Sequence, residues 1–143
     1  MRLMIDTNII LDVIYKRQPF FPCSKAVLEL CEGKEILGFI SASAASDLFY
    51  LMRKGLGNTE DTYRAFGKIL EIVKVLTVTN DDVTEAYLQR ATDFEDCLLA
   101  TCSKSNNCEG LVTRNKNDFK NFGIAVYTPE EILDKLNVID KLL

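Results

Sequence analysis

Apolar residues fall along this chain in short unbroken runs that alternate with stretches repeating every three to four positions. Leu3-Met4-Ile5 has strand length and ends abruptly at Asp6-Thr7-Asn8. Ile9 to Tyr15 continues as a helix, with Asp6 or Thr7 available as its N-cap. Pro22 suits the first turn of a helix carrying Ala26, Val27, Leu30 and Cys31, closed by Gly33. Ile36 to Ile40 reads as a buried strand. A helix follows from Ser41 or Ser43, carries Ala44, Leu48, Leu51 and Met52, and is stopped by Gly55 and Gly57. Tyr63, Phe66, Ile69, Leu70 and Val73 mark the next helix by their spacing. Val75 to Val78 predicts a third strand, and Asn80 caps a short helix with Asp81 and Asp82 in its first turn. Thr92 opens a helix with Phe94, Cys97, Leu98 and Thr101 on one face. Gly110 to Thr113 is a fourth strand and Ile124 to Val126 a fifth. Thr128-Pro129-Glu130-Glu131 opens a terminal helix through Ile132, Leu133 and Leu136.

Short apolar strands alternating with helices predict parallel β-α units in an α/β sandwich. No repeat, linker or low-complexity tract divides the chain, so residues 1–143 are expected to form a single domain. In such folds ligands bind at the carboxyl ends of the strands, near the point where strand order reverses. The acids near those ends are therefore the informative residues.

Composition narrows the chemistry. No apolar run approaches the ~20 residues needed to span a bilayer, and an acid at position 6 precludes a signal-peptide core, so a cytoplasmic protein without a membrane anchor is expected. The 5 cysteines include no CxxC pair and read as reduced, mostly buried small hydrophobes. The chain has no histidine, which disfavours zinc and leaves proton transfer near neutral pH to carboxylates, bound water, lysine or tyrosine. A net charge of −4 argues against a general nucleic-acid coat protein, but it permits an acidic pocket with a basic rim. Lys16, Arg17, Arg53, Lys54, Arg114, Lys116 and Lys120 lie just beyond the acidic segments, where a few can hold phosphates while most stay solvated.

Four acids stand out. Asp6 follows the first strand directly; capping explains an acid there, yet Thr7 or Asn8 serves that purpose equally. Asp47 lies among Ala44, Ala45, Leu48, Phe49, Leu51 and Met52, with no basic residue three or four positions away, and so needs a partner. Thr92 and Glu95 have the spacing of a capping box, which accounts for Glu95 structurally. Asp96 has no such explanation. Asp93 stacks a like charge one turn below it, an arrangement that repels unless a cation lies beside the pair. Asp118, in the polar segment after the fourth strand, is as readily a loop acid as a functional one. Clustered carboxylates with water suit a hard divalent cation, which can clamp a phosphodiester without histidine.

Three blocks carry a resemblance: Ile5-Asp6-Thr7-Asn8, Asp93 to Ala100, and Leu111 to Phe119. In order and spacing the chain resembles the PIN-domain proteins, and within them the VapC-like, toxin-type branch. The resemblance implies a PIN-like three-layer sandwich whose five parallel strands run in the order 3-2-1-4-5. It implies a Mg²⁺- or Mn²⁺-dependent endoribonuclease acting on RNA, commonly a homodimer and often neutralised by a small antitoxin. Carried over by position, Asp6, Asp96 and Asp118 are the expected metal ligands, and Asp47 completes the catalytic acids. Asp47 stands where the family more often has glutamate; being a methylene shorter, it is expected to act through water. Asn8, Asp93, Thr113, Arg114 and Asn115 are expected to support these acids or position substrate, and the last block offers both Asn115 and Asp118 to the metal.

An active ribonuclease, toxin or stand-alone, is the leading reading. A catalytically weak RNA- or protein-binding module is the alternative, kept alive by the short Asp47. A phosphoacceptor signalling domain also places an acid after its first strand, but it expects an acidic pair there and a lysine after the last strand, where this chain has Tyr127-Thr128-Pro129.

Overall fold

The computed structural model describes residues 1–136. Strands β1 (Arg2–Ile5), β2 (Leu37–Ser41), β3 (Lys74–Leu76), β4 (Gly110–Val112) and β5 (Val126–Tyr127) form one sheet in the order β3-β2-β1-β4-β5. Every neighbouring pair is parallel. Between the strands run α1 (Thr7–Ile14), α2 (Phe21–Glu32), α3 (Ala42–Leu56), α4 (Thr59–Ile72), α5 (Asn80–Gln89) and α6 (Phe94–Ser105), with α7 (Pro129–Lys135) after β5. A 3₁₀ turn covers Lys116–Phe119.

The pleat sends alternate strand residues into two cores. Leu3, Ile5, Ile40 and Val112 pack with Ile9, Ile10, Val27, Leu48 and Ile132 from α1, α2, α3 and α7. Met4, Phe39 and Leu111 face the opposite way, onto Ala100 and Cys102 of α6 and onto Phe119. Helices thus cover both faces, giving three layers, and β1 in the middle is buried on both sides. A fully buried aliphatic side chain contributes about 1.5–3 kcal/mol, so β1 and its flanking helices dominate the stability.

Element edges differ from the sequence reading where local signals overlap. Thr79 caps α5 rather than Asn80, in a capping box with Asp82. The third strand is the shorter Lys74–Leu76, and the fifth lies later than Ile124, because Val126 and Tyr127 are the residues in register with Leu111 and Val112. Helix α3 passes through Gly55 instead of stopping there. A Cβ at that position would overlap the Tyr15 ring, so the glycine serves a close approach between α3 and the end of α1. Gly57 does end the helix, in the left-handed conformation at φ 80°.

Candidate active site

Strand order reverses at β1, whose carboxyl end meets that of β4. Backbone bonds prolong the sheet one residue further: Asp6 N donates to Val112 O, and Thr113 N to Tyr127 O, each at 2.9 Å. Asp6 and Thr113 therefore leave the sheet side by side. Asp6 does cap α1, its Oδ1 accepting from Thr7 N at 2.8 Å. Its Oδ2 accepts the Thr113 hydroxyl at 2.8 Å and, more weakly, the Asn8 amide at 3.4 Å. Thr113 is fully buried, and its oxygen also receives Asn8 Nδ2 at 3.3 Å and Asn115 N at 3.1 Å. Asn8, Thr113 and the Asn115 backbone thus form one network that fixes the Asp6 carboxylate.

Asp6, Asp47, Glu95 and Asp96 line one cleft of about 300 Å³, together with Ser41, Ser43 and Phe94. Asp96 also borders a second cleft of about 560 Å³, shared with Asp93, Asp118, Arg90 and Phe122. Asp96 is therefore the wall between the two. Asp118 stands in the 3₁₀ turn anchored by buried Phe119 and faces the second cleft. Asp6, Asp47 and Asp96 share the first cleft, and Asp118, in the second, is near enough for its charge to act on both Asp6 and Asp96.

The start of α6 corrects the sequence reading. Asp93, not Thr92, is the N-cap, its Oδ1 accepting from Asp96 N at 2.9 Å. Thr92 and Glu95 form no capping box, so Glu95 is free to face the cleft. Glu95 is the acid that sequence reasoning set aside: the spacing Asp93-x-x-Asp96 competed with Thr92-x-x-Glu95 one residue earlier, and the tertiary fold chose the former.

Helix α3 is also more solvated than its composition suggested. Only Leu48 and Met52 are buried, and Asp47 is exposed at the cleft mouth. Its neighbour is not a base but Glu95 of α6.

Burial first, and neighbouring negative charge second, raises the pKa values of Asp96, Asp6 and Glu95. Burial pushes Asp96 up to about 7, helped by the charges of Asp93, Asp6 and Asp118. Asp6 is raised by burial and by Asp118, against the lowering effect of the Thr113 and Thr7 hydrogen bonds. Glu95 is raised by burial and then by Asp47, Asp93 and Asp6. None of these acids forms an ion pair with a base among the described residues.

Arg114 stands apart from both clefts. Its Nε donates to Asp12 Oδ2 at 2.7 Å and its guanidinium lies 4.0 Å from the centre of the Phe20 ring. Asp12 is completely buried and also receives Ser24 Oγ at 3.3 Å. The pair ties the loop after β4 to α1 beneath the site. Lys116 turns to Glu131 at 3.0 Å. Asp12 went unnoticed in the sequence, although its setting in Ile9-Ile10-Leu11-Asp12-Val13-Ile14 is as apolar as that of Asp47.

The donor set is all oxygen, which suits Mg²⁺ or Mn²⁺. Among the described residues no three acidic or cysteine side chains are already close enough to grip one ion directly.

Comparison with solved structures shows the same fold in several proteins. VapBC2 from Rickettsia felis, solved bound to a DNA fragment from its promoter, shares 22% identity over 90% of this chain and 98% of its own, with a TM-score of 0.66. A toxin–antitoxin complex from Klebsiella pneumoniae shares 20% identity over 89% of this chain and 97% of its own, also at 0.66. VapC20 from Mycobacterium tuberculosis, described as a Sarcin-Ricin loop cleaving toxin, shares 17% identity over 86% and 96%, at 0.64. No curated protein matches. A family model described as PIN domain matches residues 2–117, a span that holds Asp6, Asp47, Asp96 and strands β1 to β4 and stops just before Asp118. The chain belongs to the PIN-domain family.

Proposed function

We propose that the chain is a metal-dependent endoribonuclease that hydrolyses RNA phosphodiester bonds, with Asp6, Asp96 and Asp118 as the residues that hold Mg²⁺ or Mn²⁺. The carrying observation is that Asp6 and Asp96, from different β-α units, line one cleft at the carboxyl end of the sheet without a base among the described residues to neutralise them. Carboxylates left in this state are costly unless a cation joins them. A bound divalent ion supplies the charge that polarises a phosphodiester and activates water. The protein's share is placement. Thr113 and Asn8 hold the Asp6 carboxylate in one orientation, the Asp93 cap sets the first turn that carries Asp96, and Asp47 with Glu95 closes the cleft mouth. Asp47 acts through water, and Glu95, beside it, is the added candidate for handling a proton.

The solved structures of similar fold include toxin–antitoxin complexes, which supports a cytoplasmic toxin with a small antitoxin partner. Tyr50 and Tyr63, 62% and 63% exposed, offer apolar surface for a homodimer. A second reading, a weakly catalytic RNA- or protein-binding module, draws on the absence of a preassembled trio of ligands among the described residues.

Purified protein incubated with single-stranded RNA decides between them. The ribonuclease reading expects cleavage in Mn²⁺ or Mg²⁺, none in EDTA, and steep loss in Asp6→Asn and Asp96→Asn. Cleavage undiminished in both variants sinks it, and RNA binding without cleavage selects the second reading.

A further inference from the structure

The cleft beyond Asp96 contains groups that the carboxylates do not need. Arg90 ends α5 in the left-handed region at φ 54°. Its guanidinium lies 4.4 Å from the centre of the Tyr87 ring, and Nη2 donates to Tyr87 Oη at 3.0 Å. Although Asp93, Asp96 and Asp118 border the same cleft, Arg90 pairs with none of them. Asn121 and Phe122 also line this cleft, the latter packed edge-on against Phe119 at 6.3 Å. Among the described residues that line the two clefts, Arg90 is the sole cation.

A polyanion that approaches a wall of carboxylates is repelled unless a cation takes one of its phosphates. A guanidinium does so with paired donors, and one already stacked on an aromatic ring loses little freedom in binding. Bases of unpaired RNA stack on aromatic side chains and bond to amides through their edges. The cleft, at about 560 Å³, is within the ~300–1,000 Å³ of small-ligand sites and has room for one nucleotide.

We propose that this cleft is a nucleotide subsite beside the cutting centre. Arg90 binds the backbone phosphate of the nucleotide next to the one cut, and Phe122 and Asn121 receive its unpaired base. The assignment rests on the ribonuclease reading and adds to it the residue that positions single-stranded substrate.

Steady-state cleavage of a single-stranded RNA oligonucleotide in Mn²⁺, over a salt series, tests the subsite in wild type, Arg90→Ala and Arg90→Lys, alongside Mn²⁺ affinity by calorimetry. Arg90→Ala raises KM about tenfold, the scale of one charge-assisted contact, with kcat and Mn²⁺ affinity nearly unchanged. The slope of log kcat/KM against log salt becomes shallower by about 0.7, one single-strand phosphate contact. Arg90→Lys, which keeps the charge, recovers most of both. Unchanged KM and slope in Arg90→Ala, while wild type cuts, overturn the subsite and leave the ribonuclease reading standing. Lost Mn²⁺ affinity in Arg90→Ala also overturns it, by making Arg90 part of the carboxylate centre. A wild type that cuts no RNA overturns both.

Discussion

The Thr113 hydroxyl donates to Asp6 Oδ2 at 2.8 Å and joins the loop after β4 to the end of β1. These two residues are sheet neighbours because β1 and β4 pair in parallel, Ile5 beside Val112. Each side chain begins where its strand's last hydrogen bond ends. The bond therefore converts sheet register into the orientation of one carboxylate, and an error in register would be an error in the site.

Thr113→Val keeps the shape of a fully buried side chain but removes the donor to Asp6 and the acceptor of Asn115 N. A hydrogen bond to a charged group is worth about 1.5–3 kcal/mol, so denaturant unfolding should show a loss in that range. Groups that orient metal ligands typically change affinity 10–100-fold, and calorimetry with Mn²⁺ should show a weakening of that size. Thr113→Ser should keep most of both. Equal Mn²⁺ affinity in Thr113→Val and wild type would remove Thr113 from the site.

The pH dependence of the apo protein follows from Asp96, whose carboxyl is pushed up to about 7 from its ordinary 3.8. The folded state holds that proton over a window in which the unfolded chain has released it. The contribution is fully present below about 3.8 and lost as pH rises through about 7. Raised Asp6 and Glu95 act with the same sign. Glu131, lowered by its bonds to Thr128 and Lys116, acts oppositely: its contribution is present above its ordinary 4.5 and is lost as pH falls through its folded value. In EDTA the melting temperature should therefore fall from about pH 5 to about pH 8. Asp96→Asn should flatten that decline and equal or exceed wild type at the upper end. A steeper decline in the variant contradicts the crowding argument.

Asp12 and Arg114 give a prediction away from the cleft. Asp12 has no exposed side-chain surface, and Arg114 has 22%. Removing one partner of a buried pair typically costs about 3–5 kcal/mol because it strands the other charge. Asp12→Ala should lose about that much stability, and Asp12→Ala with Arg114→Ala less than the sum of the two singles. A double-mutant cycle by urea unfolding measures the coupling; additivity would show that the pair is not a unit.

The alternation of strands and helices was legible because burial on both sheet faces produces unbroken apolar runs such as Leu3-Met4-Ile5. Strand order was not legible from periodicity, which carries no information on which parallel neighbours pair; it came with the likeness of the Asp6, Asp96 and Asp118 blocks to the PIN-domain family. Cap positions were half legible. Thr92-Asp93-Phe94-Glu95-Asp96 contains two overlapping capping patterns, and only packing of α6 on the sheet selects Asp93. That one-residue difference hid Glu95. Asp12 was hidden for a different reason: Arg114, which donates to it at 2.7 Å, is 102 positions away, and Arg17, 3.9 Å from it, stands five positions on, outside the usual helical pairing spacing. The exposure of Asp47 was misread because Leu51 and Tyr50 are apolar yet 39% and 62% exposed.

Anomalous scattering from a crystal soaked in millimolar Mn²⁺ tests the central claim most directly. The account predicts one strong peak in the acidic cleft, bounded by the Asp6 and Asp96 carboxylates, with waters completing its shell, and a much weaker peak in crystals of Asp96→Asn. Mn²⁺ bound elsewhere with that cleft empty, or a peak of equal strength in the variant, would contradict it.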